Sequence, residues 1–176
     1  PFTANMLGCK QVYPSRYMQP DRILDLMASE KVTISAGVPT IWQGVRACLE
    51  AEPDRWDLSH LSRLTCGGSA PPVEMMRWYW DRYGIEMIQG WGMTETNPLG
   101  TLSRRVAKRS QRDLSLDDQF SNVAKAGLAL PGLEIEIVDQ RAGKARDGCL
   151  RGCRAHGAVG GVKGGEIKRN RARVAH

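Results

Sequence analysis

Residues 63–96 read RLTCGGSAPPVEMMRWYWDRYGIEMIQGWGMTET, and this stretch decides the fold. A β-prone run at residues 63–70 ends in a glycine-rich turn, and a second run at residues 85–90 also ends in glycine. Residues 71–84 between them have the pattern of a helix, with prolines at the start and Gly84 as the C-terminal cap. A strand, a helix and a strand in this order predict two parallel strands joined by a right-handed crossover.

The same alternation of strands and helices continues upstream. Residues 9–14 and 31–37 are β-prone, and the apolar residues of the second run alternate. Residues 20–30 and 39–52 place apolar side chains at helical spacing, and Pro20 suits the first helical turn. The order β-α-β-α-β-α-β predicts an α/β fold with a doubly wound, mostly parallel sheet and flanking helices.

Downstream of this stretch the pattern changes. Residues 101–130 resemble a long polar connection, and a connection of this length usually carries function or is disordered. Residues 133–139 alternate apolar and acidic side chains, which predicts a half-exposed strand. In the helix predicted at residues 71–84, we expect Val73, Met76 and Trp80 to lie on one side.

The basic excess of the chain lies in residues 141–176. They hold 10 of the 25 Lys and Arg and 2 of the 19 Asp and Glu, a balance of +8, whereas residues 1–140 carry −2. The segment has no Phe, Trp or Tyr, so it lacks the stacking surface of a single-strand binder, although its charge attracts polyanions non-specifically. We therefore divide the chain into a domain at residues 1–140 and a basic tail, and expect no specific nucleic-acid partner.

Composition also bears on compartment. No apolar run reaches the roughly 18 residues needed to span a membrane. The five cysteines are odd in number and irregular in spacing, which does not match a disulfide framework. We expect reduced thiols, a cytoplasmic location and no transmembrane segment.

Two glycine-rich strings follow predicted strands. Because ligands of open α/β sheets bind beyond the carboxyl ends of the strands, both strings are expected at one edge of the sheet. Gly67 and Gly68 leave room for a ligand close to the backbone. Gly90 and Gly92 are predicted to let the chain turn sharply around Trp91, whose ring can then lie flat against a purine.

The residues after this tryptophan add polar chemistry. Thr94 offers a hydroxyl donor for a phosphate oxygen, and Glu95 offers a hard carboxylate suited to Mg²⁺, which usually binds together with phosphates. These residue types fit a nucleotide–Mg²⁺ site. An ordinary strand-to-helix turn at residues 67–71 and a tight turn with a buried Trp91 remain the alternative interpretation.

Four motifs, in order, resemble the AMP-forming acyl-CoA synthetases of the adenylate-forming superfamily. LTCGGSAPP (64–72) resembles the family's Gly-Gly-Ser/Ala-Pro turn, and GWGMTET (90–96) resembles its aromatic-Gly-x-Thr-Glu loop. The upstream GVPT (37–40) resembles the Val-Pro-Thr turn, and KAGLALPGLEIEIVD (125–139) resembles a stretch that closes the subdomain. The resemblance covers about residues 5–140, and the Trp and Met of the loop are closest to medium- and long-chain fatty-acid members.

The resemblance implies an activity and a set of site residues. A carboxylic acid is activated by ATP with Mg²⁺ as an acyl-adenylate and is then transferred to coenzyme A. Thr94 would contact the α-phosphate and Glu95 would hold Mg²⁺. The remaining nucleotide-binding positions would be Ser69, Ala70, Pro71, Gly90, Trp91, Gly92 and Met93. The acyl pocket would be bordered by Gly67, Gly68, Val38 and Pro39. The resemblance also implies a homodimer in the intact parent.

Several family motifs have no counterpart in this sequence. The phosphate loop ending in Pro-Lys-Gly, the Tyr-x-x-Gly-Asp motif and the C-terminal domain with its lysine are missing from residues 1–176. We therefore expect a fragment of a fatty-acid–CoA ligase that is inactive alone. Residues 141–176 are expected to be disordered or the product of a frameshift.

Three alternatives stay open from the sequence. The parent could be an aryl-CoA ligase or an amino-acid adenylation domain, because the residues that select the acid are not in this chain. It could also be a non-catalytic remnant that binds polyanions through its basic tail. A dinucleotide-binding oxidoreductase is disfavoured, because no G-x-G-x-x-G opens a helix after the first strand.

Overall fold

The computed structural model describes residues 2–16, 18–96, 98–138, 154–156 and 170–175. Its helices are α1 (Phe2–Met6), α2 (Pro20–Ser29), α3 (Pro39–Ala51), α4 (Val73–Tyr83) and α5 (Leu116–Val123). Its strands are β1 (Ile34–Gly37), β2 (Arg63–Cys66), β3 (Glu86–Gly92), β4 (Leu99–Ser103), β5 (Leu128–Ala129), β6 (Leu133–Val138), β7 (Arg154–His156) and β8 (Asn170–Ala175). Two 3-10 turns lie at Thr94–Thr96 and Arg109–Gln111.

A mixed sheet in the order β1-β2-β3-β4-β5 forms the centre of the fold. β1, β2 and β3 are parallel, and Gly37, Cys66 and Gln89 stand side by side in register. β4 then pairs antiparallel with β3, and β5 pairs antiparallel with β4. The α/β prediction with a parallel sheet and flanking helices is therefore confirmed, and the antiparallel extension is new.

Helices α3 and α4 pack on each other above the parallel strands. The Tyr79 hydroxyl of α4 donates to the Trp42 carbonyl of α3 over 2.6 Å, and both residues are buried. The Trp42 indole N–H donates in turn to the Thr65 carbonyl of β2 over 3.3 Å. The predicted helix signals hold, since Pro20 stands in the first turn of α2 and Gly84 caps α4 with a φ of 66°.

Two sequence predictions about this core are wrong. The buried side of α4 carries Met75, Met76 and Tyr79, whereas Val73 is exposed at the first helical position. The bond from the Tyr79 hydroxyl to α3 sets which side of α4 faces inward. Trp80 is half-buried rather than buried, and the Arg105 guanidinium covers its ring at 3.9 Å.

Residues 9–14 do not form the predicted strand. Polar contacts hold this segment against the helices instead of the sheet: Lys10 pairs with Glu30, the C-terminal cap of α2, and Gln11 donates to Asn5 of α1. β1 is consequently an edge strand, and a cavity of about 750 Å³ opens between it, α2 and this segment. On β1 the residues Ile34 and Ala36 are exposed, so the alternation predicted the strand but not a covered face.

The long polar connection at residues 101–130 is ordered rather than structureless. Ser115 caps α5, because its hydroxyl accepts from the Asp118 amide over 3.2 Å. Phe120 and Val123 of α5 are buried in the core. Arg105 donates to Gln119 over 2.6 Å and stacks on α4, which fixes the connection to the helix layer.

The C-terminal part is described only in pieces. β6 confirms the strand predicted at residues 133–139 and pairs in parallel with β8, which pairs with β7 in a second sheet. Most of residues 141–176 lies outside the described residues, so the disordered or frameshifted tail stays a prediction. Among the described helices, none is long and apolar enough to cross a bilayer.

Candidate nucleotide site

The carboxyl ends of β1, β2 and β3 bring the predicted site residues to one edge. The Gly67 amide donates to the Gly37 carbonyl over 3.0 Å, which ties the end of β2 to the end of β1. A Cβ on Gly67 would lie 3.7 Å from the Gly90 carbonyl, and one on Gly68 would lie 3.4 Å from Val38 Cγ1. The prediction that both glycine-rich strings share an edge is therefore confirmed.

The loop after β2 exposes its polar residues. Gly68 adopts a φ of 82°, a conformation that L side chains rarely adopt, and this requirement explains the glycine. Ser69 and Ala70 are exposed and Pro71 is buried. No side chain caps α4, so Ser69 keeps its hydroxyl free of a capping role. The assignment of Ser69, Ala70 and Pro71 to adenine contacts stays a prediction.

The predicted sharp turn around Trp91 is wrong. β3 continues through Gly92, and Trp91 pairs with Thr101 of β4, with an irregular register between Trp91 and Gly92. The chain reverses later, between Met93 and Pro98. Gly92 is required because a Cβ there would lie 2.0 Å from the Pro98 carbonyl oxygen, far inside van der Waals contact.

Trp91 differs from the other four tryptophans of the chain. Each of those has a partner in the structure: Trp42, Trp56, Trp78 and Trp80. Among the described residues, the Trp91 indole has neither a hydrogen bond nor a ring or cation partner, and it is not part of the buried core. Its indole is half-buried and lies against Gly100 of β4. The alternative interpretation of a fully buried tryptophan is therefore wrong.

The turn that carries Thr94 and Glu95 is closed by Thr96, which the sequence prediction missed. The Thr96 hydroxyl accepts from the Met93 amide over 3.0 Å and lies 2.9 Å from the carbonyl oxygens of both Met93 and Pro98. A hydroxyl has one proton, so it donates to one of these carbonyls at a time. The only sequence signal for this role is a threonine two residues before a proline.

Thr94 and Glu95 are exposed at the tip of this turn. Within the described part of the chain, neither side chain makes a hydrogen bond or an ion pair, and no group of three or more His, Cys, Asp or Glu could hold a metal by itself. A single free carboxylate fits Mg²⁺ that is bound mainly by phosphate and water oxygens, because this ion usually takes only one or two protein carboxylates.

Cys66 lies directly beneath the loop after β2 but has no nucleophilic role. The thiol is buried, and burial raises its pKa to about 11. At neutral pH it is therefore protonated, and a thiol rather than a thiolate is a poor nucleophile. A buried, protonated thiol is therefore a poor candidate for chemistry at this edge.

Comparison with known proteins agrees with this geometry. The model of the family described as AMP-binding enzyme matches residues 1–153. The chain belongs to this family. It is 38% identical over 139 residues to the medium-chain-fatty-acid–CoA ligase of Ectopseudomonas oleovorans and 35% identical over 140 residues to the long-chain-fatty-acid–CoA ligase of Thermus thermophilus. These alignments cover 79% and 80% of the chain but 25% of each relative, so the chain spans about a quarter of their length.

A solved structure supports the fold of this family member. The N-terminal domain of FACL13 from Mycobacterium tuberculosis superimposes with a TM-score of 0.62 at 23% identity. The superposition covers 82% of this chain and 33% of that domain. At this identity the likeness concerns the fold alone.

Proposed function

We propose that this chain supplies the adenylate-contacting edge of an AMP-forming fatty-acid–CoA ligase. The observation that carries the proposal is the shared edge at which Gly67, Gly68 and Gly90 meet, next to a turn with an exposed hydroxyl and a free carboxylate. Family membership and the two fatty-acid–CoA ligase relatives support the reaction class. The chain spans only about a quarter of the length of these relatives. The activity therefore has to be tested on the protein expressed from its complete gene.

The proposed reaction has two steps. A carboxylate oxygen of the acid attacks the α-phosphorus of ATP, the bond to the pyrophosphate oxygen breaks, and an acyl-adenylate forms. The thiol of coenzyme A then attacks the acyl carbon, its proton is lost, and AMP leaves. Catalysis of this kind depends on positioning and on stabilising the charge of the phosphates.

The residues of the edge have separate roles in this proposal. The Thr94 hydroxyl donates to an α-phosphate oxygen, and the Glu95 carboxylate helps to hold Mg²⁺, which neutralises phosphate charge. Trp91 offers a ring surface to the adenine, together with the backbone around Ser69, Ala70 and Pro71. Val38 and Pro39 border the acyl group, since Val38 is exposed beside Gly68.

Glu95→Gln in the protein expressed from its complete gene tests the metal role. We expect ATP–pyrophosphate exchange to fall about 100-fold or more, because an amide oxygen carries no net charge towards Mg²⁺. Glu50→Gln is the matched control, since it makes the same change on α3 and removes only a surface ion pair with Arg46.

ATP–pyrophosphate exchange with a panel of carboxylic acids tests the substrate class. Exchange with C6–C16 fatty acids supports the fatty-acid assignment, and exchange with aryl or amino acids alone contradicts it while keeping the reaction class. Unchanged exchange in Glu95→Gln would make the assigned metal role wrong. The absence of exchange with every acid, together with no AMP binding, would make the proposed function wrong.

A further inference from the structure

A glycine of the neighbouring strand controls the position of the Trp91 ring. Gly100 lies on β4, and a Cβ built on it would stand 2.7 Å from Cζ3 and 2.9 Å from Cε3 of the Trp91 indole. Carbon atoms in van der Waals contact are about 3.5–4.0 Å apart. Any side chain at position 100 would therefore displace the six-membered ring by roughly 1 Å.

Backbone conformation does not explain this glycine. Gly100 is absent from the residues with positive φ, in contrast to Gly68 and Gly84. It is the residue of β4 that the register with β3 skips, between Leu99 opposite Gly92 and Thr101 opposite Trp91, and an L residue can occupy such a bulge position when its φ is not positive. Among the described contacts, the Trp91 indole is the group that a side chain at position 100 would meet first.

We propose that Gly100 is a positioning residue that sets the indole of Trp91 for contact with a planar ligand. The inference rests on the proposed function for the identity of that ligand, an adenine base. The Trp91 indole has no hydrogen-bond, ring or cation partner among the described residues, and it is only half-buried. The contact with Gly100 therefore determines where the ring lies and which surface it offers.

The test labels the complete gene product with 5-fluorotryptophan and records its ¹⁹F spectrum. Each of the five tryptophans of residues 1–176 gives one signal, which its single Trp→Phe variant assigns. In Gly100→Ala we expect the Trp91 signal to move and the other four to stay. Gly44→Ala is the matched control, because its Cβ would meet the Pro20 ring at the same 2.7 Å but far along the chain from Trp91.

Binding of AMP, measured by isothermal titration, gives the functional readout. We expect Gly100→Ala to weaken AMP binding about threefold to tenfold, which is the range expected when an aromatic contact is displaced. In a Trp91→Ala background the same change is expected to have no further effect on AMP affinity, because the ring it displaces is gone. If Gly100 had a merely structural role, Gly100→Ala would weaken AMP binding equally in the unmodified protein and in the Trp91→Ala background. That result would overturn the inference.

The remaining outcomes separate the two proposals. An unmoved Trp91 signal in Gly100→Ala overturns the positioning role. If Gly100→Ala fails to fold, recovery of folding in Trp91→Ala/Gly100→Ala supports the clash with the ring, and failure of the double variant overturns it. If AMP does not bind the unmodified protein, the proposed function is wrong, and the shift of the Trp91 signal still decides the role of Gly100.

Discussion

Thr96→Val is the sharpest local perturbation of the candidate site, because it removes a hydroxyl and keeps the side-chain shape. The hydroxyl accepts from the Met93 amide and donates to the carbonyl of Met93 or Pro98, so two hydrogen bonds are lost at a time. Each is worth about 0.5–1.5 kcal/mol net. Since Thr96 is half-buried, water replaces part of this, and we expect a loss of about 1–2 kcal/mol.

The lost hydrogen bonds stabilise the turn at residues 93–98 and not the core. A loss of about 1–2 kcal/mol corresponds to a 5- to 30-fold rise in the open population of the turn. Hydrogen exchange followed by mass spectrometry on peptides that cover residues 90–99 measures this rise directly. The peptides of α3 and α4 serve as internal controls, and their exchange is expected to stay unchanged.

Thr96→Ser is the matched variant, because it keeps the hydroxyl and loses only a methyl group. We expect its exchange at residues 90–99 to stay within a factor of about three of the unmodified protein. Equal exchange in Thr96→Val and the unmodified protein would refute the reasoning that this hydroxyl closes the turn. Equal acceleration in Thr96→Val and Thr96→Ser would also refute it, since Thr96→Ser keeps the hydroxyl to which the effect was assigned.

Two further predictions concern the core beneath the site. Tyr79→Phe is expected to cost about 1 kcal/mol and to lower Tm by about 2–4 °C, because it removes the buried bond to the Trp42 carbonyl. Tyr83→Phe is its control and should be neutral or stabilising, since the Tyr83 hydroxyl is buried with no partner in the described structure; equal losses in thermal melts would contradict the assignment. Burial raises the pKa of Cys66 to about 11 from 9.0, so the folded state favours the neutral thiol. The contribution of the protonated thiol to the free energy of unfolding is complete below pH 9 and is lost between pH 9 and 11. Chemical denaturation should therefore show a decline in the free energy of unfolding in that window, and the decline should be smaller in Cys66→Ala. An unchanged decline in Cys66→Ala would contradict the prediction.

The sequence predicted the parallel part of the fold because its signals are local. Pro20 and Gly84 act through their own backbone geometry, and the helical stripe of α3 is a property of one segment. The placement of two glycine-rich strings at one edge followed from the parallel crossovers alone. These inferences needed no knowledge of which segments touch.

The parts that could not be predicted depend on contacts between distant segments. The alternation in β1 predicts a strand but does not say which face is covered, and Ile34 proved exposed. The buried side of α4 is set by the bond from Tyr79 to α3, 37 residues away in sequence. β3 extends to Gly92 because β4 pairs with it, and nothing within residues 85–92 signals that partner.

The glycines of the site show how one residue type serves different physical needs. From the sequence, Gly67 and Gly68 were interpreted as room for a ligand, and Gly90 and Gly92 as the glycines of a sharp turn around Trp91. In the structure, Gly68 is required by its positive φ, and the space beside Gly92 is filled by the Pro98 carbonyl. The space beside Gly100 is filled by the Trp91 indole.

Gly67 is the exception among these positions. A Cβ there would make only ordinary contact, at 3.7 Å from the Gly90 carbonyl, and the φ of Gly67 is not positive. Neither the backbone nor the neighbouring atoms therefore demand a glycine at this position. Of the four, Gly67 is the one whose missing side chain leaves room that the described protein does not itself occupy. The space that a bound acyl-adenylate would use is thus best sought beside Gly67, between the ends of β2 and β3.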